Sequence, residues 1–416
     1  MNKTLTKIAV TGASTVLGAT AALSLSIPAQ AALLGPAASC NVFVFGDMNA
    51  KNTDAEGSVC VGGNAKLEPF TVHSDVSNPA SQLDSLVVGG NLTYGNSEIQ
   101  LGNVIVGGDA SFTNASIKKG DAVVHGNASF TNSTIKKGDA VVDGDASFTN
   151  STLEQGNAIV NGDVSFNNST LEQGNAIVNG DVSFNNSTLE QGNAIVNGDV
   201  SFNNDPTRNG DVIEGQDVEI PDFPINFGEA EQFYKNYSAY LGGFTDADNT
   251  STLKIFNFTT SGLADAIAQG LNLKFDSNST VLVNVTGSEL NLTSGEIKLN
   301  GDPNDTYANR VIFNLPNVTK LSTSGFSWNG SVLAPMAEYE FMNGHIDGTF
   351  IGQSITRNEA FPDLPSGEYH NVPFDGNLPD PEPVPEPLTI LGSGMALGFG
   401  AFFKRQQSKK QKNAKQ

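Results

Sequence analysis

One spacing governs the first half of this chain. The pair Gly-Asp or Gly-Asn returns every 18 residues, at Gly90-Asn91, Gly108-Asp109, Gly126-Asn127, Gly144-Asp145, Gly162-Asp163, Gly180-Asp181 and Gly198-Asp199. A phenylalanine follows three residues after the Asp or Asn at Phe112, Phe130, Phe148, Phe166, Phe184 and Phe202, and the units from Asn150 to Asn203 are three identical copies. A short fixed period implies supersecondary units that bury their apolar side only against their neighbours, an arrangement suited to a scaffold. Apolar runs are three to five residues long, alternate around Val164 and Phe166, and are punctuated by Gly, Asn and Asp. That pattern predicts short strands joined by tight turns rather than helices. The expected fold class is therefore all-β, a β-solenoid of 18-residue coils spaced by about 4.8 Å, so that seven coils make a rod roughly 34 Å long. Handedness and the number of faces stay open. A strict hexapeptide helix is disfavoured, because Ile159, Phe166 and Leu171 are not six apart.

Stacking turns repeated positions into columns. The phenylalanines form an inner aromatic ladder, and Ile117, Ile135, Leu153, Leu171 and Leu189 form a second inner column, each side chain adding buried apolar area. Asn114, Asn132, Asn150, Asn168, Asn186 and Asn204 form an unbroken amide ladder that satisfies turns and bonds along the axis. Asp145, Asp163, Asp181 and Asp199 form an acidic column. Like charges about 4.8 Å apart cost about 1 to 3.5 kcal/mol per adjacent pair at an effective dielectric of 80 to 20. Hydrogen bonds to turn amides offset this; the alternative is calcium held between the carboxylates, which makes calcium the one cofactor to consider. Lys118, Lys136, Glu154, Glu172 and Glu190 read as a solvated face.

The formal net charge of the chain is −22. Two Lys near the N-terminus and six Lys or Arg near the C-terminus account for eight of its 22 basic residues, so the middle sets 14 basic residues against 44 acidic ones. Such a surface excludes nucleic acid and anionic lipid headgroups as partners and attracts divalent cations or basic groups. Lys3 and Lys7 precede an apolar stretch from Val16 to Ile27, and Ala29 and Ala31 form an A-x-A site for signal peptidase, giving a signal peptide over residues 1–31. Cys40 as a lipidated residue is disfavoured, since Ala37-Ala38-Ser39 before it lacks the usual Leu. In an exported chain, two cysteines as close as Cys40 and Cys60 favour a disulfide. Closing that loop contributes about 3 kcal/mol on the chain-entropy model, and would pin an open N-terminal end of the solenoid.

A proline-acid linker, residues 376–387, ends in Pro385-Glu386-Pro387. An apolar segment follows over 388–405, ending at Lys404-Arg405, with a basic tail over 406–416. The apolar run is short for a full span, and the basic residues after it place that end in the cytoplasm. The order Pro-Glu-Pro, apolar helix, basic cluster resembles the PEP-CTERM sorting signal. The resemblance implies transient inner-membrane anchoring and processing by an exosortase in a Gram-negative-type bacterium.

From Asp205 to Pro224 the period fails. Asn226 to Leu241 is the best helix, with Asn226 as cap and Glu229 three residues on. Leu263 to Leu271 suggests a second. Short strands are expected at Val281–Val285, Glu296–Leu299, Arg310–Phe313, Val332–Ala334, Glu338–Phe341 and Thr349–Ile351, so the second β region, 225–375, continues or flanks the repeats of 86–204 with the 226–241 helix along the side. Phe43-Val44-Phe45-Gly46-Asp47-Met48-Asn49, Asp54-Ala55-Glu56-Gly57 and Val61-Gly62-Gly63-Asn64 resemble the opening of the choice-of-anchor A domain. Gly330-Ser331-Val332-Leu333-Ala334-Pro335, Asn343-Gly344-His345-Ile346-Asp347-Gly348 and Glu368-Tyr369-His370-Asn371-Val372-Pro373-Phe374 are similar to its closing motifs. The resemblance implies one domain over 32–375 with an adhesive role on bacterial surfaces and no catalytic residues.

A polysaccharide-acting β-helix enzyme would need clustered carboxylates or a base beside basic residues. The chain lacks Gly-x-Ser-x-Gly, a paired-histidine metal motif and a phosphate loop. His125 sits at a turn position of the repeat, and His345 and His370 read as structural hydrogen-bonding residues. Ice binding is a further alternative: Ser111 and Thr113, Ser129 and Thr131, and Ser147 and Thr149 flank successive phenylalanines, although later coils carry Asn167, Asn185 and Asn203 in place of Thr. The expected function is that of an exported, non-catalytic surface or matrix protein whose partner is an extracellular polysaccharide or surface component.

Overall fold

The computed structural model describes residues 35–75, 84–204, 207–208, 211–215, 218–302, 306–358, 360–361 and 363–380. It is a parallel β-solenoid of about 16 turns with about 18 residues per coil, and two helices. Each repeat coil holds three strands, as in Val164–Asn167, Thr170–Gln173 and Ala176–Val178. The coil thus has three faces, which we name after the Phe, Leu and Ile of these strands. Every strand of this coil pairs in parallel with the strand 18 residues on: Phe166 with Phe184, Leu171 with Leu189, Ile177 with Ile195.

The interior follows from strand alternation. Val164 and Phe166 point inward and are buried, as are Leu171, Ala176 and Val178. From Phe112 to Phe202 the rings stack at 4.8 to 5.1 Å between centroids and within 11° of parallel. The asparagine column sits between the Phe and Leu strands. Asn114 to Asn204 all lie at φ between 48° and 59°, the left-handed region that asparagine tolerates better than most residues. Its amides bond along the axis, as from Asn186 Nδ2 to Asn168 Oδ1 at 2.7 Å. Ile159 faces out, with Ala158 and Val160 buried beside it, so the uneven spacing of Ile159, Phe166 and Leu171 compares one outward residue with two inward ones.

The second half of the chain does not extend the repeat end. It stacks beneath the N-terminal end. Leu253–Thr259 pairs with Thr280–Thr286, that strand with Val311–Asn314, and that with Ser331–Met342. Ser331–Met342 pairs with Phe350–Thr356, which pairs with Val42–Val44 at the start of the described chain. Val42–Val44 then pairs with Val59–Val61, and the ladder climbs to Val212–Glu214. The 18-residue echo between Val332-Leu333 and Phe350-Ile351 is a true register pair. There is accordingly no open N-terminal end for a disulfide to pin. Strands Leu253–Thr259, Glu289–Glu296 and Lys320–Trp328 occur beyond those expected, and the strand read at Glu296–Leu299 is the two-residue Lys298–Leu299. Ser331–Met342 spans two of the expected strands because it turns a corner, its first part on the Ile face and its second on the Phe face.

Helix α1, Phe227–Leu241, starts where Asn226 accepts a hydrogen bond from the Glu229 N–H. Ala230, Tyr234, Tyr237 and Leu241 are buried against the outward column of the Ile face: Leu282, Ile312, Leu333, Ile351, Phe43, Cys60 and Val87. Its C-terminal carbonyls, which have no partner within the helix, are met by the sheet. Asn314 Nδ2 donates to Ser238 O at 3.0 Å and Asn284 Nδ2 to Leu241 O at 3.0 Å. Cys40 and Cys60 are joined, S–S 2.06 Å, beneath this helix. Further up, Ile220 and Phe223 of the returning chain cover Ile105, Val123 and Val141, and the His125 ring lies 6.0 Å from Phe223. Helix α2, Thr260–Ala268, begins earlier than its apolar spacing suggests because Thr259 caps it, accepting from the Gly262 N–H.

Candidate functional site

The most regular surface is the outside of the Phe face. Outward residues alternate with the buried ones, giving a row of Ser and then Thr or Asn in every coil: Ser111 and Thr113, Ser129 and Thr131, Ser147 and Thr149, Ser165 and Asn167, Ser183 and Asn185, Ser201 and Asn203. The rows repeat at the coil spacing reported by the stacked rings beneath them. Along one side runs a shallow trough of about 860 Å³ that extends from Asn91 to Ser201, with the serines and the Asp/Asn column as its walls. Within the columns the polar groups bond to one another, Ser129 Oγ to Ser111 Oγ at 3.3 Å and Asn185 Nδ2 to Asn167 Oδ1 at 3.0 Å. The face is therefore an ordered lattice of hydroxyls and amides rather than independent side chains.

The acidic column borders that trough. Asp145, Asp163 and Asp181 each use Oδ1 to accept the backbone N–H of the next coil, from Asp163, Asp181 and Asp199 at 2.9, 2.7 and 2.7 Å. Asn127 fills the same role for Asp145 at 2.8 Å, and Asn91 for Asp109 at 2.8 Å. The position thus requires an acceptor, charged or neutral. A matching column lies before the Ile strands, where Asp139 Oδ1 accepts from Asn157 N and Asn157 Oδ1 from Asn175 N. Burial raises the Asp139 carboxyl above the ordinary range, against the lowering effect of the Asn157 amide; later coils place Asn there and escape that penalty.

A second cluster was only half visible in the sequence. Among the described residues, the place where three metal-competent side chains converge is His345, Asp347 and His370, whose ligand atoms all lie within 4.8 Å of one another. Strand His345–Asp347 pairs with Glu368–His370, and Tyr369 of the latter pairs with Ala55. His345 and Asp347, like Glu368 and His370, are two apart and so emerge on one side of their strands. His370 Nδ1 lies 2.5 Å from Asp347 Oδ1 and His345 Nε2 3.6 Å from Asp347 Oδ2. The hydrogen bond to Asp347 holds the His370 imidazole up at about 9, against burial, helped by the charges of Asp347, Glu56 and Glu368. Sequence reading named both histidines but not Asp347 and Glu368 as their partners; the i, i+2 spacing His-x-Asp and Glu-x-His was the available signal. Pro385, Glu386, Pro387, Lys404, Arg405, Ala29 and Ala31 lie outside the described residues, and among those described no helix is long and apolar enough to cross a membrane.

A family model described as "Putative Ice-binding-like adhesive domain" matches residues 33–122 and 103–363, which takes in the repeats, the returning chain and most of the lower coils. The chain belongs to this family. It is thus a member of an adhesive-type domain family. No curated protein matches the chain. Among solved structures, an ice binding protein from an Antarctic bacterium Flavobacteriaceae is similar, at 13% identity, covering 85% of this chain and 100% of that one with a TM-score of 0.20. A likeness that loose carries no functional argument.

Proposed function

We propose that the protein is an exported, non-catalytic surface or matrix adhesive that engages a repetitive partner, an extracellular polysaccharide or surface polymer, through the outer Phe face. The observation that carries this reading is the Ser and Thr/Asn lattice. Its rows are fixed by stacked rings beneath and by axial hydrogen bonds, so a partner with repeating hydroxyls meets many weak contacts that are already ordered, and little further ordering entropy is lost on binding. Membership in an adhesive-type family supports the same reading. The finer assignment to the choice-of-anchor A group rests on the opening and closing motifs. Delivery to the surface rests on the PEP-CTERM-like ending and the signal peptide, with signal peptidase and an exosortase as processing partners and the inner membrane as a temporary station.

The test is a glycan array and a matrix pull-down with residues 32–384, beside a variant with Ser129, Ser147 and Ser165 replaced by Lys on the outer Phe face. Binding to a polymer that the variant loses by tenfold or more is expected. Binding that survives the change, or no binding to any glycan or matrix fraction, overturns the reading. Ice recrystallisation microscopy on the same samples addresses ice as the partner, and halted crystal growth would replace the polymer reading. Calcium along Asp145, Asp163, Asp181 and Asp199 is checked on the way: a melting temperature that rises with calcium and falls with chelator supports it, whereas unchanged curves assign that column wholly to the amide-acceptor role.

A further inference from the structure

We infer that His345, Asp347 and His370 form a binding site for one divalent late first-row transition-metal ion, with zinc as the representative, placed on the seam between the two halves of the solenoid. The inference is independent of the adhesive reading. Two imidazoles and a carboxylate are a donor set for zinc, nickel or copper rather than for calcium or magnesium, which prefer all-oxygen shells. The separation of His345 from Asp347 suits a small ion, and the His370–Asp347 pair, 2.5 Å apart, opens to admit it. Ligands about 2.0 to 2.1 Å from a tetrahedral zinc stand about 3.4 Å apart, and His345 Nε2 stands 3.6 Å from Asp347 Oδ2. The two rings lie face to face, 4.8 Å between centroids and 23° from parallel, with the Asp347 carboxylate reaching both.

The surroundings are those of a held ligand set. Asp347 is 7% exposed, and its backbone is fixed by strand pairing to His370. Ser327 Oγ lies 3.2 Å from His345 Nδ1 and so orients that ring with Nε2 toward Asp347, the outer-shell contact that metal-bound histidines usually have. Glu368 Oε2 lies 3.6 Å from His370 Nε2, the ring nitrogen turned away from Asp347, and so orients that ring from outside the ligand set. On binding, the hydrogen bond between His370 and Asp347 gives way to metal–ligand bonds: its proton leaves to solvent, and the hydrated ion sheds bound water as His345, Asp347 and His370 take its place.

The site sits where it would matter to the fold. Asn41 Nδ2, from the N-terminal half, donates to Gly348 O at 2.8 Å and to His370 O at 3.0 Å, and Asn371 N donates to Glu56 Oε2 at 2.8 Å. An ion at His345, Asp347 and His370 ties together the last two of the lower coils directly beneath the first described coil, Val42 to Ala55.

The full chain, produced without added histidines and stripped with chelator, is titrated with zinc chloride alone and its metal content measured after dialysis. One equivalent of zinc with a dissociation constant in the micromolar range or tighter is expected, reduced at least tenfold in His345→Gln and in His370→Gln but unchanged in His125→Gln. Zinc binding that is absent, or equal in all four proteins, overturns the inference. Should the seam variants fail to fold, cobalt(II) loaded into the unmodified protein decides: visible absorption bands of a four- or five-coordinate site with imidazole ligands support the site, and the spectrum of hydrated cobalt refutes it.

Discussion

At the scale of single residues, the repeat selects acceptors and tolerated conformations more than charge. Asp and Asn interchange along both turn columns because each has an oxygen for the next coil's amide. The same economy explains Asn at the left-handed corner, where an alanine would cost roughly 1 to 2 kcal/mol in backbone strain. His73 is the exception with a consequence. It occupies a left-handed corner at φ 57°, is buried, and has Nδ1 3.2 Å from Ser85 Oγ while Nε2 finds no partner. Burial lowers its affinity for a proton, with Asp75 opposing weakly. The folded value lies below the unfolded one of about 6.5, so the unfolded chain takes up the proton first. Stability tied to this residue is complete above pH 6.5 and is lost as the pH falls through the folded value. His73→Asn keeps a residue suited to the corner and removes the titration. Urea midpoints at pH 7.5 and pH 5 should differ less in the variant than in the parent, and equal differences in the two proteins would show that His73 does not set the acid sensitivity.

At the scale of the coil, what could be read from the sequence was whatever recurs, and what could not was which way it faces. The 18-residue period, the Phe and Leu columns and the capped helix are all carried by spacing, which is a local property. The facing of Ile159 could not be read, because an apolar residue between two small or branched apolar neighbours fits either parity. Only the cover supplied elsewhere by α1, Ile220 and Phe223 shows that the outward Ile column is meant to be apolar. The lower coils resisted because strands such as Ser331–Met342 bend across two faces, so no single alternation pattern describes them. His345 and His370 were legible as residues, but their meeting depends on strand stacking across an intervening loop. Coil spacing is enforced at the Gly column before the Ile strands. A Cβ at Gly174 would run into the carbonyl of Gly156 in the preceding coil, where backbone rather than a movable side chain stands in the way. Gly174→Ala should therefore destabilise by about 2 kcal/mol or more, by the strain route, although Ala would be favoured over Gly in an unstrained strand. Thermal unfolding compares it with Ser165→Ala on the outer Phe face; a Gly174→Ala loss no larger than that of the surface control would contradict the close approach.

For the whole molecule, the decisive arrangement is that the first described coil lies in the middle of the stack. Val42–Val44, Met48–Ala50 and Thr53–Ala55 each lie between coils from the two halves, with Phe350–Gly352, Ile355 and Tyr369 below and the repeats above. The repeats therefore cannot be a self-sufficient rod. Cut after residue 215, they would expose three unpaired strand edges, and the loss of α1 would uncover Phe43, Cys60 and Val87. Unprotected parallel edges of this kind template further strands. Residues 32–215 alone are expected to form oligomers or precipitate, and co-production with residues 216–380 should return a one-to-one complex with the scattering profile of the intact protein. The lower fragment buries its own interior between Leu253 and Ile355 and carries α1, so it supplies both the matching edges and the cover that the upper one lacks. Size-exclusion chromatography with small-angle scattering distinguishes the outcomes. An upper fragment that stays monomeric and ignores the lower one would mean that the seam is a mere contact, and it would remove the structural reason for placing a metal ion there.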